Sequence, residues 1–234
     1  MQHVELRERV LEANLALVRA GLIVLTFGNA SALDRAAEVV AIKPSGVSYD
    51  RLTVADIVVV DLATGAVVEG ETRPSSDTPT HLALYRAWRD VGGIVHTHSA
   101  FATAWAQARL EIPCYGTTHA DHFDGAVPVT RPLTPREIEG EYERATGEVI
   151  LETFVALELE PLRRPAALVA SHGPFAWGAS VEEAVENAIA LEAVAASAHR
   201  SVALAGDLEA IPAELLEKHF SRKHGAAAYY GQRA

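Results

Sequence analysis

Apolar residues recur at helical spacing near the start of the chain. Leu6, Val10, Leu11, Leu15 and Val18 share one side of a 3.6-residue period with charges between them, which predicts an amphipathic helix over residues 4–19 that Gly21 can close. Ile23-Val24-Leu25 predicts a short strand entering a turn at residues 26–31, where Gly28 lets backbone approach closely. Residues 39–42 predict a second strand, ending in Lys43-Pro44-Ser45-Gly46. Residues 57–60 and Val67-Val68 predict a hairpin around Ala63-Thr64-Gly65. Thr78 and Pro79 suit the N-cap and first position of a helix reaching about Trp88 or Asp90.

Gly92-Gly93-Ile94-Val95 predicts a buried strand entered from a glycine turn, and it leads into His96-Thr97-His98-Ser99. Ser99 can cap a helix over residues 100–108. Residues 115–123 have no clear period and are polar. Thr134-Pro135-Arg136-Glu137 reads as a capping box opening a helical region to about Leu157, broken near Gly140 or Gly147. Residues 166–170 predict a strand that delivers His172-Gly173-Pro174. Ser180-Val181-Glu182-Glu183 is a second capping box, before a helix that buries Val181, Ala184, Val185, Ala188 and Ile189. A last helix is expected over residues 212–223. Strands and helices interleave without strict alternation, repeat or linker. The expectation is one α/β domain over residues 1–234, with a mixed central sheet and helices on both faces.

Composition narrows the function. Of 234 residues, 49% are hydrophobic, enough for a full core. The net charge is −11 and the only lysines are Lys43, Lys218 and Lys223, so no basic surface for nucleic acid is expected. No run reads as a membrane span and the N-terminal segment is too charged for a signal peptide. The single cysteine, Cys114, fits a reducing compartment, and the expected location is cytoplasmic. Cys114 sits in an apolar stretch and reads as a packing residue.

Side chains on a strand alternate faces, so His96 and His98 point the same way, as half of a metal site would require. His172 also lies at a strand end, and Asp77 lies just ahead of a helix. Three imidazoles and a carboxylate suit Zn²⁺ or a similar divalent ion. His119, Asp121 and His122 form a rival cluster that spacing alone does not rank below it. His81, on a helix, reads as structural. The turns Gly28-Asn29, Ser45-Gly46 and Ser75-Ser76 offer N–H and hydroxyl donors, and with Lys43 they could form an anion cradle. No nucleotide-binding fingerprint is present.

Residues 10–16, 26–31, 42–47, 74–80, 92–99, 117–123, 171–178 and 222–232 together resemble the zinc-dependent class II sugar-phosphate aldolase family, in its L-ribulose-5-phosphate 4-epimerase branch. The resemblance covers nearly the whole chain. It implies that His96, His98 and His172 bind zinc and that Asp77 stands beside the metal, where aldolases of the family usually carry Glu. It also implies that Gly28, Asn29, Ser45, Gly46, Ser75 and Ser76 bind phosphate. By the same resemblance Asp121 and Tyr230 are an acid/base pair, with His219 nearby. The substrate would be a phosphorylated pentulose and the assembly a cyclic homotetramer, with Asp121 and Tyr230 acting in a neighbour's site. His122 departs from the family pattern, which has tyrosine there.

Overall fold

The computed structural model describes residues 2–224 and 228–229. Seven strands form one sheet: β1 (Asn29–Asp34), β2 (Val39–Ile42), β3 (Val58–Asp61), β4 (Val67–Glu69), β5 (Gly93–His96), β6 (Ala166–Leu168) and β7 (Pro174–Gly178), in the order β4-β3-β2-β1-β5-β7-β6. Eight α-helices accompany them among the described residues: α1 (Val4–Arg19), α2 (Thr78–Ala87), α3 (Ala100–Ala108), α4 (Thr117–Ala120), α5 (Pro135–Glu139), α6 (Tyr142–Ala156), α7 (Val181–Ala205) and α8 (Ala213–His224).

The α/β class with helices on both faces is as expected, but the sheet inside it is antiparallel rather than mixed. Every strand ladder runs antiparallel, and the one parallel pairing among the described residues is the isolated bridge Val129–Leu168. Local connections account for much of this: β1–β2, β3–β4 and β6–β7 are sequence neighbours that fold back on one another.

Alternation along the strands builds two cores. Ala41, Val59, Val95 and Ala176 face α1, α3 and α7, whereas Val40, Val58, Val60, Ile94, Phe175 and Trp177 face α2 and α6. With both faces covered, β2, β6 and β7 read as continuous apolar runs, and β3 does so up to Asp61.

Several local expectations shift. Ile23-Val24-Leu25 is not a strand. Leu25 takes φ 55°, is 79% exposed and sits in a tight turn closed by the Val24–Phe27 bridge, and the strand begins instead at Asn29. The N-cap of α2 is Asp77, not Thr78, and the Thr78 hydroxyl donates to the Ser75 carbonyl at 2.6 Å. The helical break falls at Gly140. Gly147 stays inside α6, where a Cβ would meet the Ala83 Cβ of α2 at 2.8 Å. Ile189 on α7 is 41% exposed rather than buried. That helix, 25 residues long and reaching a mean hydropathy of 1.2 over its most apolar 18-residue stretch, is long and apolar enough to cross a membrane, contrary to the expectation that no run was. In this fold it is a core helix, burying Val181, Ala184, Val185 and Leu191 beneath the sheet.

Candidate active site

Strand pairing brings the site together. At the end of β5, His96 pairs with Asn29 of β1 on one side and Phe175 of β7 on the other. The β6–β7 hairpin closes through His172 N–H to the Val169 carbonyl (3.0 Å) and Val169 N–H to the Gly173 carbonyl (2.9 Å), with Ser171 at φ 63°. This turn swings His172 over His96. His98 lies two residues past the strand end and returns to the same side. One ring nitrogen from each of His96, His98 and His172 lies within 4.8 Å of the others.

The ring orientations are set from outside. His96 Nδ1 donates to the Pro174 carbonyl at 3.0 Å, which leaves its Nε2 lone pair facing inward. His98 Nε2 lies 3.1 Å from that atom. Tyr142 Oη lies 3.3 Å from His172 Nδ1. Burial lowers His98 below its ordinary value and takes His172 down to about 3, so these two imidazoles are neutral at pH 7. Burial pushes the Asp77 carboxyl up, but His96, His81 and the Asn29 amide outweigh it and hold it below the ordinary value. Asn29 Nδ2 donates to Asp77 Oδ2 at 2.7 Å and to Ser75 Oγ at 3.1 Å. His81 is structural as expected, fully buried with Nδ1 2.7 Å from Ser31 Oγ.

These groups open on a cavity of about 400 Å³. Gly28, Asn29, Lys43, Ser45, Gly46, Ser75, Ser76, Asp77, His96, His98 and His172 all line it. The three turns are tied to one another. Ser45 N–H donates to the Arg73 carbonyl and Ser75 N–H to the Lys43 carbonyl, each at 3.0 Å. Those two amides are therefore spent on backbone, and the donors left to a ligand of this cavity are hydroxyls, Lys43 and the remaining amides. Gly28 has φ +99° and a Cβ there would sit 2.9 Å from the His96 carbonyl, so only glycine lets this turn lie against the histidine strand. Tyr142 and Glu143, at the start of α6, also line the cavity, as do Thr26, Phe27 and Pro44. Sequence reading missed these. Tyr142 and Glu143 follow the Gly140 break, a signal that a helix start was to be found there.

Asp121 and His219 are not among the residues lining the cavity. They meet each other where α4 packs on α8. Asp121 accepts from His219 Nδ1 at 3.1 Å and from Arg222 Nε and Nη2 at 3.0 and 2.7 Å. Burial raises the Asp121 carboxyl, but the Arg222 and His219 bonds hold it below its ordinary value. Tyr230 lies outside the described residues. The rival cluster does not converge: His119 Nε2 donates to the Gly125 carbonyl at 2.8 Å, and His122 Nε2 accepts from Lys223 Nζ at 3.0 Å. Cys114 is buried and its thiol is pushed up to about 11, which suits packing rather than nucleophilic work.

The donor set fits a divalent cation. Three imidazoles converge, a carboxylate shares their cavity, and one side is open to a ligand, as a catalytic rather than a closed structural site requires. Fold and site thus define an α/β protein built around a three-histidine centre beside a polar cavity. Residues 8–199 match the family model described as Class II Aldolase and Adducin N-terminal domain, and the chain belongs to that family. Among solved structures it is similar to an L-fuculose 1-phosphate aldolase, with 27% identity over 93% of this chain and 95% of the other, at a TM-score of 0.78. The L-fuculose-1-phosphate aldolase from Thermus thermophilus is 26% identical over 87% of this chain and 98% of its own, TM-score 0.65. YgbL from Klebsiella pneumoniae, described as a putative aldolase/epimerase/decarboxylase, is 25% identical over 93% and 99%, TM-score 0.72.

Proposed function

We propose that this protein is an L-ribulose-5-phosphate 4-epimerase, interconverting L-ribulose 5-phosphate and D-xylulose 5-phosphate by opening and re-forming the C3–C4 bond. The observation that carries the reading is the single cavity shared by His96, His98, His172, Asp77 and the cradle residues Gly28, Asn29, Lys43, Ser45, Gly46, Ser75 and Ser76. Metal ligands and anion donors in one cavity suit a substrate with oxygens at one end and phosphate at the other.

The C4–H of such a sugar is not acidic, so proton abstraction at C4 cannot invert it. Loss of the C4 hydroxyl proton with cleavage of C3–C4 gives a three-carbon enediolate and glycolaldehyde phosphate. Rotation of the aldehyde before the bond re-forms inverts C4. Zn²⁺ held by His96, His98 and His172, with Asp77 alongside, would supply Lewis-acid stabilisation of the developing negative charge. Lys43 and the serine turns keep the phosphate end in place while the aldehyde turns. The hydroxyl proton must be handled on both faces, and Asp121 and Tyr230 take one face each, with His219 positioned beside Asp121. Because Asp121 stands away from the cavity of its own subunit, this reading assigns it to a neighbouring copy in a cyclic homotetramer, within the cytoplasm.

The second reading is an aldolase that releases its aldehyde, favoured by the likeness to L-fuculose 1-phosphate aldolases. Aspartate at position 77, where the family's aldolases usually carry Glu, supports the epimerase. The test is conversion of L-ribulose 5-phosphate to D-xylulose 5-phosphate with and without a strong chelator. Free glycolaldehyde phosphate as the main product would decide for the aldolase. Turnover indifferent to metal removal would overturn both.

A further inference from the structure

We propose that Tyr49, a residue outside the cavity wall, is a positioning residue for the anion cradle: its ring seats the Lys43 ammonium and its hydroxyl pins the Gly28 turn. The inference rests on the reading of the cavity as a phosphate site.

Lys43 is buried to 2% exposure, and among the described residues it has no carboxylate partner. Its Nζ donates to the Pro44 carbonyl at 3.3 Å and stands 4.6 Å from the centroid of the Tyr49 ring. A buried ammonium without a counter-charge is costly, and an aromatic face offsets part of that cost. The ring occupies one side of the ammonium and Pro44 another, and Lys43 itself lines the cavity, so the remaining N–H donors are free for an anion. Tyr49 is itself 8% exposed and packed in the core, so the ring is a fixed seat.

At its other end Tyr49 Oη donates to the Gly28 carbonyl at 2.8 Å. Gly28 is the turn that lies against the His96 backbone. One side chain therefore fixes the distance between the lysine of the cradle and the turn that abuts the histidine centre. The two contacts are chemically separable. Phenylalanine keeps the ring and loses the hydroxyl; methionine fills similar space and loses both.

The experiment measures the dissociation constant of inorganic phosphate by calorimetry on the metal-loaded protein, for wild type, Tyr49→Phe, Tyr49→Met, and each combined with Lys43→Met. Melting temperature is followed as a folding control. Tyr49→Phe should weaken phosphate by about 5-fold, the value of one lost hydrogen bond. Tyr49→Met should weaken it by a further factor of about 5 to 10. With Lys43→Met present, the Tyr49→Met and Tyr49→Phe proteins should bind phosphate equally, because no ammonium remains to be seated. For the phosphorylated pentulose, KM should rise by more than kcat falls. Equal binding by the Phe and Met variants when Lys43 is intact would overturn the role of the ring. A Met-specific loss that persists without Lys43 would reduce Tyr49 to ordinary packing. A wild-type protein that does not bind phosphate would overturn the cradle reading and this assignment with it.

Discussion

His96 Nε2 and His98 Nε2 face each other at 3.1 Å. His96 already donates through Nδ1 to the Pro174 carbonyl, so in its neutral form its Nε2 carries only a lone pair. One proton from His98 satisfies the pair, and a cation held there by His96, His98 and His172 would take that proton's place. The Pro174 carbonyl, by fixing the His96 proton on Nδ1, leaves the Nε2 lone pair that a metal would need. His98→Ala should therefore lose bound metal and activity together. Zinc content at wild-type level in that variant, by elemental analysis, would remove His98 from the ligand set.

Lys43 gives the cradle a pH limit. Burial takes its ammonium from 10.5 down to about 8. Between roughly pH 7.5 and 9.5 inorganic phosphate keeps its charge, while Lys43 loses its own. Phosphate affinity should hold to about pH 8 and then fall, approaching about tenfold per pH unit, and Lys43→Met should flatten the profile. The stability term has the opposite sign. The folded value lies below the unfolded one, so the cost of the buried charge is fully present below about pH 8 and is relieved as pH rises towards 10.5. A flat affinity profile in the unmodified protein would show that Lys43 does not meet the anion.

Asp121 tests the shared-site assembly. Asp121→Asn should lower turnover while metal stays bound, and Tyr230→Phe should do the same. If Asp121 serves a neighbour's cavity, mixing Asp121→Asn subunits with His98→Ala subunits restores intact sites. Random mixing in a cyclic assembly leaves about a quarter of the sites complete. Recovery of activity on mixing two inactive proteins is the expected result, and no recovery would confine Asp121 to its own subunit or exclude it from the reaction.

The histidine centre was legible because a strand's period of two fixes side-chain direction locally. His96 and His98 kept their common side even though the strand stops at His96. The turns that line the cavity were legible for a similar reason: glycine, serine and proline mark turns whatever surrounds them. What sequence could not supply was closure over distance. Tyr142 reaches the cavity because α6 packs on α2, through contacts such as Gly147 against Ala83. Asp121 and His219 meet across 98 residues. The antiparallel placement of β7 beside β5 likewise depends on a long connection with no local mark. Ile23-Val24-Leu25 was read as a strand because three apolar residues run together, yet Leu25 and Val24 are largely solvated.

Glu192 holds the helix that follows His98. Its carboxylate accepts the N–H groups of Phe101 (2.8 Å) and Ala102 (2.9 Å) at the start of α3, where Ser99 makes no side-chain cap. A carboxylate at a helix N-terminus satisfies free amides and meets the positive end of the dipole. Glu192→Ala should cost about 1–2 kcal/mol, a fall of about 2–8 °C in Tm for a chain of this size. Calorimetric scanning checks it, and an unchanged Tm would mean that water caps α3 equally well.

Gly93 opens β5 and lies against the first turn of α7. A Cβ there would stand 2.3 Å from the Val181 Cα and 2.4 Å from its nitrogen. Both are backbone atoms, so no rotamer change relieves the clash. Either α7 retreats from the sheet, or β5 shifts and carries His96 with it. Gly93→Ala should cost about 3 kcal/mol or more and should lower metal content along with Tm. Gly116 is the control. It precedes α4 with φ −156°, and a Cβ there would meet nothing within 4 Å. Gly116→Ala should stay within about 0.5 kcal/mol of the unmodified protein. If the two variants melted alike, the close approach of β5 to α7 would not be what sets the position of His96.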